Sequence, residues 1–147
     1  MIFILDTDTL LALIRDLKAT GRRQGRRDRA LELVERCRRA QKEGHAVGVS
    51  AITVSELEFG ARKSGHYEDA IAAVEKILAP FETFDYAAVS CAPHYGHVRH
   101  ELEQAGQTLG AMDLLIAAHA LGLDATVVTN NLAHFRRVPG LKVTAWR

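Results

Sequence analysis

Short apolar runs alternate with amphipathic stretches along this chain, and the alternation predicts strands separated by helices. Met1-Ile2-Phe3-Ile4-Leu5 is a continuous apolar run that ends at Asp6, the pattern of a central parallel strand covered on both faces. Residues 9–14 then begin a helix, with Thr7 or Asp8 as its N-cap. The arginine-rich stretch 21–25, with a glycine at each end, reads as a loop. Asp28 reads as the cap of a helix whose apolar stripe is Leu31, Leu33, Val34 and Cys37 and which stops near Gly44. Residues 47–50 form a second strand, and helices over 53–64 and 67–79 follow, parted by Ser64-Gly65 and ended by Pro80. Phe81-Glu82-Thr83-Phe84 alternates as a short edge strand, and a long helix over 86–105 carries Pro93 as its first turn or as a kink. Gly106 and Gly110 bracket the loop before a helix around Asp113 that Gly122 stops. Residues 125–129 and 142–144 are the last strands. Strands that alternate with helices imply an α/β fold: a single-domain α/β/α sandwich around a mainly parallel, twisted sheet.

Composition narrows the class. The 147 residues, 48% hydrophobic and 25% charged, suit one soluble globular domain with a real core. No apolar run approaches the roughly 20 residues that span a bilayer, so no membrane is expected. No basic region precedes the first apolar run, so it is a strand rather than a signal peptide. Cys37 and Cys91 are too few and too isolated for a disulfide framework or a metal knuckle, which fits a reducing cytoplasm. The net charge of +1 decides nothing, but its distribution does. Eleven of the nineteen cationic residues fall between Arg15 and Lys42, and the remainder of the chain is acidic on balance. A basic segment beside an acidic pocket suits a protein that holds a phosphate backbone. Arg22, Arg23, Arg26 and Arg27 are the candidates for such contacts. A solvated helix face is the alternative, because no aromatic residue interleaves to stack bases.

Three acids carry the candidate chemistry. Asp6 ends the first strand, at the sheet edge where open α/β folds place their ligands. Glu56 follows the second strand in Val54-Ser55-Glu56-Leu57, and Asp113 opens the apolar helix Met112-Asp113-Leu114-Leu115-Ile116. An acid among apolar helix residues is costly to bury unless it is paired or binds a cation. Three of them, each near an element end, point to one shared metal pocket. The histidines are less informative. His94, His97 and His100 recur on one helix without partners that complete a site, and read as a solvated or partner-facing surface. His119 reads as structural. Trp146 packs on the last strand or lies in an interface.

At these residues the chain resembles a known family. Leu5-Asp6-Thr7-Asp8, Val54-Ser55-Glu56-Leu57-Glu58-Phe59-Gly60-Ala61 and Gly110-Ala111-Met112-Asp113-Leu114-Leu115-Ile116-Ala117-Ala118-His119-Ala120 look like the three acidic motifs of PIN-domain ribonucleases. The closing Val128-Thr129-Asn130-Asn131-Leu132-Ala133-His134-Phe135-Arg136-Arg137-Val138-Pro139-Gly140-Leu141 resembles the C-terminal motif of the VapC toxins, as do Tyr95-Gly96-His97-Val98-Arg99 and residues 102–106. The motifs occur in the family's order over nearly the whole chain, and the main departure is an Arg-rich insert at about 18–42.

The resemblance implies a PIN-like domain over 1–147 and metal-dependent endoribonuclease activity, leaving a 5′-phosphate and a 3′-hydroxyl. Asp6, Asp113 and Glu56 would hold Mg²⁺ or Mn²⁺, with Glu56 also orienting the attacking water. Many relatives carry a fourth acid where this chain has Asn131, an amide that can orient water but adds no charge. Asp8 either adds a metal contact or caps the first helix. Thr7 and Thr129 are candidates for positioning hydrogen bonds. The same resemblance implies the toxin of a type II toxin–antitoxin pair, a cognate VapB-like antitoxin covering a groove of the early helices, an RNA substrate and a homodimer. A housekeeping PIN nuclease, a non-catalytic PIN-like RNA-binding module and a phosphatase-like hydrolase with Asp6 as nucleophile are the alternatives.

Overall fold

The structure is a computed structural model that describes residues 1–146. Five strands, β1 (Ile2–Leu5), β2 (Ala46–Ser50), β3 (Glu82–Phe84), β4 (Thr126–Val128) and β5 (Lys142–Thr144), form one sheet in the order β3-β2-β1-β4-β5. Every pairing is parallel, with Phe3 opposite Val47 on one side and Thr126 on the other. Among the described residues seven α-helices accompany the sheet: α1 (Thr7–Asp16), α2 (Gln24–Lys42), α3 (Ala51–Lys63), α4 (Tyr67–Leu78), α5 (Ala88–Gln104), α6 (Ala111–Gly122) and α7 (Leu132–Phe135).

Alternation along the strands divides the core in two. Leu5, Val47, Val49 and Val128 point into a cluster with Leu10 and Leu13 of α1, Leu33 and Cys37 of α2, Leu57 of α3 and Val74 of α4. Ile4 and Val127 point the other way, against Val98 and Leu102 of α5, Ile116 and Ala120 of α6 and Phe135 of α7. Helices thus cover both faces, as the alternating pattern requires. The outer strands β3 and β5 have three residues each, beginning at Glu82 and Lys142.

Three local expectations are corrected. The cap of α1 is neither Thr7 nor Asp8 but Asp6, whose side chain accepts from the Thr9 N–H; Asp8 lies in the first turn and is exposed. The stretch read as a loop is a 3₁₀ turn at Gly21–Arg23 that runs into α2 at Gln24, so Asp28 lies inside that helix and accepts from the Gln24 amide instead of capping it. Arg and Gln are good helix formers, and one Gly at 25 costs too little to stop them. The buried stripe of α2 is Ala30, Leu33, Cys37 and Ala40, while Leu31 faces outward. The expected Arg-rich insert is therefore a helix packed on the core. Trp146 is buried against Phe3, ring centroids 4.7 Å apart, beneath the guanidinium of Arg36. Among the described residues no helix is long and apolar enough to cross a membrane.

Candidate active site

The carboxyl edge of the sheet gathers the candidate residues because β1, β2 and β4 are neighbours and all point there. Asp6 leaves β1 as the cap of α1 and is only 2% exposed. Its Oδ1 accepts from the Thr9 backbone N–H at 3.1 Å and its Oδ2 from the Thr129 hydroxyl at 2.9 Å. Burial pushes its pKa above the ordinary carboxylate value; the Thr9 and Thr129 hydrogen bonds pull it down by less, and nearby Asp8 adds to the rise. The Thr129 hydroxyl in turn accepts from the Asn131 N–H at 2.9 Å, and the Thr9 hydroxyl accepts from the Asn130 N–H at 3.2 Å, tying the end of β4 to α1.

Glu56 arrives from the other side. Ser50 ends β2 and caps α3 by accepting from the Ile52 N–H, which sets the helix that carries Glu56 beside β1. The Thr7 hydroxyl donates to Glu56 Oε1 at 2.7 Å and shares a second hydrogen bond with Thr53, one turn earlier on α3, at 2.9 Å. Asp113 lies in the first turn of α6, half-buried, with its Oδ2 2.9 Å from His134 Nε2. Asn131 occupies the cap position of α7, exposed and without a side-chain capping bond. Thr7 and Thr129 thus each donate a hydrogen bond to one of the candidate carboxylates, Glu56 and Asp6. His134 is the residue that sequence reasoning passed over. Nothing in the closing motif itself marks it, and only the fold of α7 onto α6 shows its partner.

The donor set is oxygen-rich and acidic, which suits hard dications rather than thiophilic metals. Among the described residues, no three His, Cys, Asp or Glu side chains stand close enough together to hold an ion by themselves. That still fits magnesium, which keeps several waters and binds through one or two carboxylates plus substrate phosphates. A buried carboxylate met only by neutral donors, as Asp6 is, leaves its charge for such an ion to balance.

Comparison with known proteins identifies the family. The PIN domain family model matches residues 3–141. The chain belongs to the PIN-domain family. Among relatives of this PIN domain, Ribonuclease VapC2 of Rickettsia felis is 39% identical over 102 residues, covering 69% of this chain and 75% of that protein. The tRNA(fMet)-specific endonuclease VapC of Salmonella typhimurium is 41% identical over 98 residues, covering 67% of this chain and 74% of that protein. A crystal structure of VapBC2 from Rickettsia felis bound to a promoter DNA fragment superimposes with a TM-score of 0.84 at 32% identity, covering 100% of both chains. This PIN domain is thus a VapC-type ribonuclease by family.

Proposed function

We propose that this PIN domain is the toxin of a toxin–antitoxin pair, an endoribonuclease that hydrolyses RNA phosphodiesters with a hydrated Mg²⁺ or Mn²⁺ that Asp6, Asp113 and Glu56 would hold together with water and the substrate phosphate. The observation that carries the reading is Asp6: a carboxylate buried at the sheet's carboxyl edge, fixed on both oxygens by neutral donors, with Glu56 and Asp113 on the flanking helices. A divalent ion bound there would lower the pKa of an attacking water and offset charge at the phosphate during in-line displacement. The chain's own contribution is positional. Thr9 and Thr129 hold Asp6, Thr7 turns Glu56 so that its carboxylate can accept a hydrogen bond from the water, and His134 holds Asp113. Asn131, beside Thr129, offers an amide to the water or phosphate, and exposed Asp8 can add a contact to a hydrated ion. Arg22, Arg23 and Arg26 are exposed and offer phosphate contacts, whereas Arg27 is turned inward to donate to the Leu17 carbonyl at 3.3 Å.

A VapB-like antitoxin would cover the early helices, on which Leu11, Leu31 and Phe59 are 46%, 43% and 69% exposed. A homodimer would use α5 and α6, where Val89 and Met112 stand exposed. The expected compartment is the cytoplasm. The deciding experiment incubates purified protein with total RNA in EDTA, Mg²⁺ or Mn²⁺ and maps the ends. Cleavage should need the ion and fall by at least about 100-fold in Asp6→Asn and Asp113→Asn. Equal cutting by all three proteins, or full cutting in EDTA, would overturn the proposal.

A further inference from the structure

A cleft of about 280 Å³ opens between α1 and α2, next to the catalytic edge. Its floor is apolar, built from Leu13, Ala30, Leu33 and Trp146, and its inner wall is Thr9 and Asn130. That wall belongs to the site already described: the Thr9 N–H fixes Asp6, and the Thr9 hydroxyl receives the Asn130 N–H. The rim is cationic. Arg15 is satisfied by a two-pronged contact with Asp16 at 2.7 and 3.2 Å. Arg26 and Arg29 also line the cleft but make no hydrogen bond or ion pair among the described residues, and act on Asp16 only through space. Two uncommitted guanidinium groups therefore stand over a small cleft with an apolar floor and a polar rim, beside the edge that carries Asp6.

We propose that this cleft is a nucleotide subsite. It takes the base and sugar of a nucleotide adjoining the scissile phosphate, while Arg26 and Arg29 hold that nucleotide's phosphate. The inference rests on the ribonuclease reading and deepens it. Size favours a nucleotide over a partner's helix, since the volume lies just below the roughly 300–1,000 Å³ typical of ligand clefts. Charge favours it too, because planar, forked guanidinium groups match phosphate oxygens in pairs. The arginines that matter differ from those the sequence suggested. Arg26 remains, Arg29 joins it, and Arg22, Arg23 and Arg27 do not line the cleft.

The test measures binding of a fluorescent single-stranded RNA spanning the mapped cut to the Asp113→Asn protein, across a range of salt. Arg26→Ala/Arg29→Ala should weaken binding by tenfold or more and lower the log–log salt slope by about 0.7, the value for one phosphate neutralised on a single strand. In the active protein the same pair should blur the base preference beside the cut. Lys63→Ala/Lys76→Ala, an equal loss of charge on exposed positions of α3 and α4, should change binding by less than twofold. The subsite is overturned if the two pairs weaken RNA equally, or if the arginine pair leaves RNA binding intact. In the latter case, weaker capture of the cognate antitoxin by the arginine pair would give the cleft to that partner. Wild-type cleavage that Asp6→Asn abolishes keeps the ribonuclease reading standing in each of those cases; no cleavage by the wild type would remove both readings.

Discussion

A buried acid that both caps a helix and faces the chemistry makes opposing demands on the fold. Burial raises the Asp6 pKa, so the folded chain holds that proton more tightly than the unfolded chain does. Its contribution to stability is then complete below the ordinary value of 3.8 and lost as the pH rises through the folded value. At neutral pH and without a cation the charged side chain should burden the fold. Asp6→Asn should therefore raise the melting temperature in EDTA, by about 2–4 °C for each kcal/mol relieved, while abolishing cleavage. Mg²⁺ should stabilise the wild type and not the variant. A thermal scan in which Asp6→Asn gains nothing, or responds to Mg²⁺ as the wild type does, would contradict this. His134 makes a second demand at the same scale. Removing it in His134→Ala frees the Asp113 carboxylate and should lower Mn²⁺ affinity and cleavage by roughly 10–100-fold, as loss of an outer hydrogen bond to a ligand does. His134→Gln, which keeps a donor, should recover part of the affinity read by calorimetry.

Among elements, the α5–α6 packing is set by a glycine. A Cβ on Gly122 would come within 2.8 Å of both Cys91 Sγ and the Ser90 carbonyl oxygen, so Gly122→Ala must push the two helices apart. The expected cost is about 1–3 kcal/mol, read as a lower urea midpoint at unchanged slope. An unchanged midpoint would show that α5 yields freely. The elements also show what the sequence could and could not reveal. Strand positions were legible because a doubly covered strand must be apolar throughout, and β1 meets that demand up to Asp6. The start of α2 was not legible, since glycines and charged residues at 21–25 are compatible with either a loop or a helix end, and tertiary packing of Ala30 and Leu33 decides between them. The helix α7 has four residues, too few to show a period, so His134 could not be placed against Asp113. That Asp6 and Asp113 lie near element ends, and Glu56 on the helix after β2, was legible from the pattern of strands and helices. Their hydrogen-bond partners were not, because Thr7–Glu56 and Thr129–Asp6 join residues far apart in the chain.

At the scale of the molecule, a buried histidine ties α6 to the sheet. His119 on α6 shares a 2.7 Å hydrogen bond with Ser50 at the end of β2, its ring edge-on to Tyr86, and its Nε2 is buried without a partner among the described residues. Burial lowers its pKa below 6.5, opposed by the smaller influences of the Asp85 backbone and of the Asp85 charge. A depressed histidine stabilises the fold above its ordinary pKa, and that stability is lost as the pH falls through the folded value. Urea midpoints should therefore drop on acidification from neutral pH to about 5, and the drop should be shallower in His119→Gln. Equal slopes would place the acid sensitivity elsewhere.

The outer strands have a consequence for how copies of this molecule meet. A sheet border is a template for foreign strands, and long flat borders seed fibrils. Here each border offers three residues of backbone and opens with a charged side chain, Glu82 on one side and Lys142 on the other. An incoming strand would find too few amides to grip, so contacts between copies are left to helix surfaces and should not propagate into filaments.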